Sequence, residues 1–317
     1  MVAPTARAGA PARTDAAQPG VLPHRRRRDS LTHPAHTGLM LVTPALLFVL
    51  AFVVLPLGFA VYISLTNWPL IGPYRFIGFQ NYRNLGQDTT FFQSTVYTLI
   101  YTAIVTGPIF ILGYLMAMLV RTNRRGAVWF RTAFFLPYVI GLSTLSFMVL
   151  LELQPGTGAV NALLKGLGLT NGQTAWLVNT VPATAVICVL VVWFASGLTM
   201  MLLMSAMQGV PKVIYESADL DGVSRWSREF RITMPMIRRT IALSLILSVI
   251  GSFLAFNQFF ILTQGGPGTS TTTVVMWIYD QAFVQLHLGA ATTLSLILVV
   301  VVGLISALQF FLLREKD

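Results

Sequence analysis

Six apolar stretches dominate this chain, near 39–63, 94–120, 132–153, 181–207, 240–263 and 290–313. Each is long enough to cross a bilayer core as a helix, which takes about 20 residues. Backbone groups in lipid must pair within their own segment, and a helix does this. The expected fold is therefore all-α and integral to a membrane, with six transmembrane helices. Composition agrees: 55% of residues are hydrophobic and 10% charged, where a soluble protein carries about 25% charge.

The net charge of +10 raises nucleic acid as a partner. Its distribution points elsewhere. The amino-terminal tail holds six Lys/Arg, the 121–131 loop four, the 209–239 loop six and the carboxyl tail two. The alternate loops hold only Arg75, Arg83 and Lys165, so 18 of 21 basic residues fall on one side. Positive charge marks the cytoplasmic side. Both termini and the central loop are expected there, with no nucleic-acid partner. Residues 1–37 are rich in Ala, Pro and Arg and are read as a disordered basic cytoplasmic tail. The first span is too long for a signal-peptide core and is read as an uncleaved helix. Cys188 is the only cysteine and lies inside the fourth span, so no disulfide framework or cysteine metal site is expected.

A polar island, 209–238, interrupts the apolar pattern. It contains Gln208-Gly209-Val210-Pro211, then Tyr215-Glu216-Ser217-Ala218-Asp219-Leu220-Asp221-Gly222, then Phe230-Arg231-Ile232-Thr233-Met234-Pro235. Pro211 suits a helix start, where its missing N–H is no loss. Gly222 suits a chain reversal. Residues 224–232 are expected to form a second short helix ending before Pro235. The result is a helix-turn-helix elbow.

This pattern resembles the Glu-Ala-Ala loop of binding-protein-dependent ABC importers, through which a permease grips its ATPase. Glu216, Ala218, Asp221, Gly222, Ile232 and Pro235 stand at the family spacing, with Ser217 for the middle Ala and Met234 for a Leu. Three further segments resemble carbohydrate-type permeases: Phe76-Ile77-Gly78-Phe79-Gln80-Asn81-Tyr82, Phe130 to Pro137, and Leu262-Thr263-Gln264-Gly265-Gly266-Pro267. The resemblance covers about 39–313. It implies a type I importer permease domain over 38–317 and an ATPase-coupling role for Glu216, Ser217, Ala218, Asp221, Gly222, Ile232 and Pro235. It also implies a second homologous permease, two ABC ATPases that bind ATP and Mg, an extracytoplasmic solute-binding protein and a sugar substrate, as in the maltose, trehalose and glycerol-phosphate systems. On that reading small Ser217 and Ala218 allow close approach to the ATPase, and Glu216 caps a turn or pairs with a basic ATPase residue.

The residues themselves leave little room for catalysis. His24, His33, His36 and His287 pair with no carboxylate at a useful spacing, and no lysine stands in a P-loop framework. No enzyme activity, metal site or cofactor is expected in this chain. An ion-coupled sugar carrier is the alternative, but only Glu152 among the acids touches a span, at its outer end.

Transporter sites lie near the bilayer midplane. Span five offers Ser252, Phe253, Phe256, Asn257, Gln258 and Phe260 there, and span four offers Trp193, Ser196, Gly197 and Met200. Helical spacing puts Phe253, Asn257, Phe260 and Gln264 on one face, and Trp193, Gly197 and Met200 on another. Asn257 is expected to be a buried amide in need of partners. Spans four and five contain no Lys, Arg or His. A neutral di- or oligosaccharide fits better than glycerol phosphate, which would want basic groups.

Overall fold

A computed structural model describes residues 35–69, 71–122 and 125–313. The expected tail lies outside the described residues except for its last three, which are already helical. The chain divides into two compact units, Met1–Val54 and Leu55–Asp317. The described part of the first is helix α1, Ala35–Val49, followed by a π turn, Leu50–Val54. Its side chains from Leu39 onward are almost all exposed and apolar, as a lipid-facing helix requires.

The second unit opens with α2 (Leu55–Ser64) and the short α3 (Gln80–Leu85), followed by α4 (Thr89–Val120). Next come α5 (Ala127–Ile140), α6 (Leu142–Glu152), α7 (Ala159–Gly166) and α8 (Thr180–Gln208). The polar island forms α9 (Lys212–Leu220), α10 (Arg225–Arg228), a π turn (Glu229–Thr233) and α11 (Met234–Met236). The chain ends with α12 (Arg238–Phe253), α13 (Asn257–Leu262), α14 (Val274–Tyr279) and α15 (Leu288–Leu313). Among the described residues, Gly38–Ser64, Thr89–Val120, Thr180–Gln208, Arg238–Leu262 and Leu288–Phe311 are long and apolar enough to cross a membrane. The α5–α6 pair makes a sixth crossing only as a bent pair.

Three expectations need correction. The second span starts at Thr89 rather than near 94, because Asp88 caps it, accepting from the Phe91 N–H at 3.0 Å. The third span, 132–153, is not one helix: α5 and α6 meet at 90°. The hinge is Gly141 at φ 92°, a conformation that costs glycine least. The fifth span, 240–263, is interrupted at 254–256, where Phe256 has φ −134° and ψ −60°. Helix α14, with the π turn Asp280–Val284 after it, was not anticipated; it is an apolar helix too short to span.

Helix α4 packs along α8 more extensively than any other pair, and α12 also lies on α4. Small residues permit the α4–α8 approach and that of α8 to α5. A Cβ on Gly113 would stand 2.6 Å from Thr199 Cγ2, and one on Gly197 would stand 2.6 Å from the Phe134 carbonyl. Tyr101, Val105, Ile109, Leu190 and Phe259 form one buried cluster. Tyr114, Ala117, Met200, Leu203 and Met207 form a second, nearer the polar island. The 154–179 loop is pinned by buried Asn161, which donates to the carbonyls of Leu153, Gln154 and Thr174 and accepts from Trp176 Nε1.

Candidate functional site

The polar island folds as the expected elbow. Gly222 at φ 70° makes the turn after α9, and the Val223 N–H bonds back to the Ala218 carbonyl at 3.0 Å. Ser224 caps α10 by accepting from the Ser227 N–H. The second arm does not stop before Pro235: it runs through the π turn and α11 and breaks at Ile237. Pro235 falls at the start of α11, where the inserted π turn makes room for its ring.

On α9, Val213, Glu216, Ser217 and Leu220 recur at i, i+3, i+4 and i+7, and all four are exposed, Leu220 at 89%. Trp226 and Phe230 on the second arm are exposed as well. Asp221 and Gly222 form an exposed tip, Pro235 is exposed and Ile232 half-buried. Ala218 is different. It is 4% exposed, so its small size serves the inside of the elbow and not the approach of a partner.

What fastens the elbow is a group sequence reasoning missed. Glu229 is 1% exposed. Arg121, at the end of α4, donates to its carboxylate from both terminal nitrogens, at 2.5 and 3.2 Å. The Tyr114 hydroxyl donates to it at 3.0 Å. Arg228 pairs with Asp219 at 2.6 Å and so ties the two arms together. The Tyr215 ring lies under both guanidiniums, 5.5 Å from Arg121 and 5.7 Å from Arg228.

The second feature is a cavity of about 230 Å³ among the middles of α4, α8 and α12. Ser252, Phe256, Asn257 and Gln258 line it, as do Tyr138, Phe194, Thr199, Ser244, Ser248 and Gly251, which sequence reasoning did not single out. Both span breaks border it: Tyr138 and Leu142 flank the Gly141 hinge, and Leu254 to Gln258 form the α12–α13 interruption. Irregular backbone at membrane depth is tolerated where it is buried in protein or lines a cavity. The carbonyl freed at Ala255 is taken by the Thr273 hydroxyl at 2.7 Å. Ser244, Ser248 and Ser252 donate to the Ile241, Ser244 and Ser248 carbonyls, a ladder that leaves their oxygens able to accept.

The other expected substrate residues lie elsewhere. The break destroys the supposed face of Phe253, Asn257, Phe260 and Gln264, and Gln264 lies beyond α13 at φ 49°. Phe253 is buried in a cluster with Val249, Val274 and Leu298. Phe260 joins Phe256 and Tyr279 in an aromatic cluster, with centroids 5.0 to 5.3 Å apart. Asn257 is exposed in the isolated chain; the buried amide is Gln258, which donates to the Tyr101 hydroxyl at 3.3 Å. Gly197 and Ser196 sit in the helix contacts of α8, and Met200 is fully buried among Leu203 and Met207. Trp193 is 47% exposed and faces a separate groove beside Val149 and Trp176.

Against known proteins, the family described as "binding-protein-dependent transport system inner membrane component" matches residues 109–315. The chain is 32% identical to the probable ABC transporter permease protein YurN of Bacillus subtilis, over 85% of this chain and 93% of that protein. It is also 32% identical to the lactose transport system permease protein LacF of Rhizobium radiobacter, over 88% of this chain and 94% of that one. Its fold matches a crystal structure of a bacterial alginate ABC transporter in complex with an alginate pentasaccharide-bound periplasmic protein. There the TM-score is 0.76 at 22% identity, covering 88% of this chain and 94% of the other.

Proposed function

The chain belongs to the family of binding-protein-dependent transport system inner membrane components, and from that membership we propose that it is one membrane-spanning subunit of an ATP-driven importer of a neutral di- or oligosaccharide. A second homologous permease stands beside it. Two ATPase subunits bind ATP and Mg and dock on the elbow, and an extracytoplasmic binding protein delivers the sugar. Membership in this family leaves no place for the ion-coupled carrier.

The observation that carries the reading is the meeting of two span breaks at one cavity. Discontinuous helices at midplane are how transporters build solute sites. The lining supplies serine hydroxyls, the amides of Asn257 and Gln258 and the rings of Tyr138, Phe194 and Phe256, with no charged residue. Hydroxyl-rich neutral solutes bind to such a surface through hydrogen bonds and ring contacts. A phosphorylated solute would find no counter-charge there, which disfavours glycerol phosphate.

Power enters at the elbow. Its exposed face mixes Val213 and Leu220 with Glu216 and Ser217, a surface suited to docking in a cleft. Closure of the ATPases moves a short rigid body, and α8 and α12 leave that body directly. The Arg121–Glu229 pair adds α4 to the moving set. All three helices line the cavity, so one motion can switch its access.

The test is reconstitution with the ATPase and binding protein and measurement of ATPase stimulation across a sugar panel. Stimulation by one or more neutral oligosaccharides is expected. A response to glycerol phosphate alone would refute the neutral-sugar reading. Orientation is checked in a Cys188→Ala background. Thr271 to Thr273 are buried, so the outer probe belongs at exposed Thr269. Thr269→Cys should react with an impermeant thiol reagent from outside, and Ser224→Cys only after the cytoplasmic face is opened. External labelling at Ser224 would invert the topology and remove the docking role of the elbow.

A further inference from the structure

Between the elbow and the ends of α4, α5 and α8 lies a second polar cavity, of about 580 Å³. Arg121, Arg131, Lys212 and Arg228 line it together with Gln208 and Tyr215. Glu229 neutralises Arg121 and Asp219 neutralises Arg228, and neither acid lines the cavity. Lys212 adds a positive charge that forms no ion pair among the described residues. Arg228 Nε is buried and has no hydrogen-bond partner among the described residues. An orphaned donor at the wall of a cationic cavity is a place for an anionic oxygen.

Carboxyl ends of helices ordinarily repel anions. Here two carbonyls at the end of α4 are already taken: Arg131 donates twice to the Val120 carbonyl, at 2.7 and 3.0 Å, and Gln208 donates to the Arg121 carbonyl at 3.1 Å. The cavity lies at the ends of two apolar spans, Thr89–Val120 and Thr180–Gln208. Leu119 stands two positions before Arg121, and Val128 and Trp129 three and two positions before Arg131; they are apolar and 73%, 69% and 81% exposed.

We propose that this cavity binds a phosphate group, and that the phosphate belongs to an anionic phospholipid headgroup of the leaflet on the elbow side. A free phosphate would use the cations but has no use for exposed apolar side chains so near them in the chain. Basic pockets between helices at the cytoplasmic interface are suited to lipid phosphates. A bound headgroup would bridge Lys212 at the start of α9 and Arg228 of α10 to the ends of α4 and α5, and so stiffen the elbow from behind its docking face.

The experiment uses the complete importer in nanodiscs of phosphatidylcholine alone or mixed with phosphatidylglycerol, read by native mass spectrometry for retained lipid and by the thermal midpoint. Retained phosphatidylglycerol and a raised midpoint are expected for the wild type. Lys212→Gln removes a charge, and Arg228→Lys keeps the charge but deletes the buried Nε. Each should weaken retention by about tenfold, the effect of one charge-assisted hydrogen bond. If Arg228→Lys does not assemble, Lys212→Gln decides. Equal retention of both lipids, or unchanged retention in Lys212→Gln, overturns the proposal. Inorganic phosphate raising the midpoint in phosphatidylcholine discs as far as phosphatidylglycerol does assigns the site to free phosphate instead. Retention seen only after the ATPases are stripped away assigns it to an acidic patch on the ATPase.

Discussion

In the proposed function the elbow and the mid-span cavity do opposite physical work. The elbow is dense in charge and fastened at every joint: a glycine turn, a serine cap, one ion pair across its arms and one buried pair to α4. The cavity is uncharged, and its hydroxyls already spend their protons on backbone carbonyls. A part that transmits force needs stiffness, which directional, charge-assisted bonds provide. A part that passes solute must bind weakly enough to release. In the proposed mechanism, charge concentrates in the part that carries force and is absent from the part that carries solute.

The strongest test of that contrast is Arg121→Leu. It leaves Glu229 buried without its counter-ion, which costs about 3–5 kcal/mol. Loss of the assembled transporter, or a steep fall in its thermal midpoint, is expected. Replacing both partners removes the stranded charge, so Arg121→Leu/Glu229→Leu should recover most of the stability. The informative measurement on the double variant is ATP hydrolysed per sugar transported. A wild-type ratio would mean the pair is only structural and would break the link between charge and force transmission.

Next in size is Gly222. Proline there cannot adopt φ 70° and loses the N–H that bonds the Asp219 carbonyl at 3.2 Å. Gly222→Ala keeps the N–H and costs about 1–2 kcal/mol for its left-handed conformation. Both should insert normally, with sugar-stimulated ATPase lost in Gly222→Pro and reduced in Gly222→Ala. Glu216→Lys should also uncouple, through the docking face alone and with no change in thermal midpoint. Normal uptake in Gly222→Pro and Glu216→Lys would remove the elbow from the mechanism.

These two regions were not equally legible in the sequence. Pro211, Gly222 and Ser224 act on their immediate neighbours, so the elbow could be read from local rules. Glu229 could not, because its partner Arg121 is 108 positions away and burial is set by the assembled bundle. Ala218 fitted a motif, yet its burial is a property of the folded elbow that the motif does not state. In the membrane, apolar periodicity located the spans but not their breaks. Gly141 and Pro137 were available as a bend signal in the third span. The interruption at 254–256 contains neither Gly nor Pro; it depends on Thr273 reaching the Ala255 carbonyl from another segment. Attention to amides and rings also overlooked Ser244 and Ser248, whose value lies in forming a ladder with Ser252.

Within the cavity the expected effects are smaller. Asn257→Leu removes hydroxyl-binding capacity at similar volume, about 1 kcal/mol for one hydrogen bond, or about fivefold in apparent affinity. Sugar uptake should weaken while ATPase assembly survives, because the exposed Asn257 side chain forms no hydrogen bond among the described residues. If assembly fails as badly as uptake, Asn257 belongs to a permease interface and the substrate role passes to Gln258 and the serines.

The smallest effect is expected at Trp193. Its groove is bounded by Val149, Leu153, Trp176, Pro182 and Val189. The Trp176 N–H there is already donated to Asn161. A sugar entering would lose its hydration and find only the single Trp193 donor in return, an unfavourable exchange for a molecule covered in hydroxyls. Lipid, or the second permease proposed above, suits such a surface better. Trp193→Leu keeps it apolar, so KM for transport should stay at the wild-type value, with any change confined to stability and within about 1.5 kcal/mol. A sugar-specific rise in KM without loss of stability would move the passage from the broken spans to this outer groove. The division between a charged lever and an uncharged path would then have to be redrawn around a different face of α8.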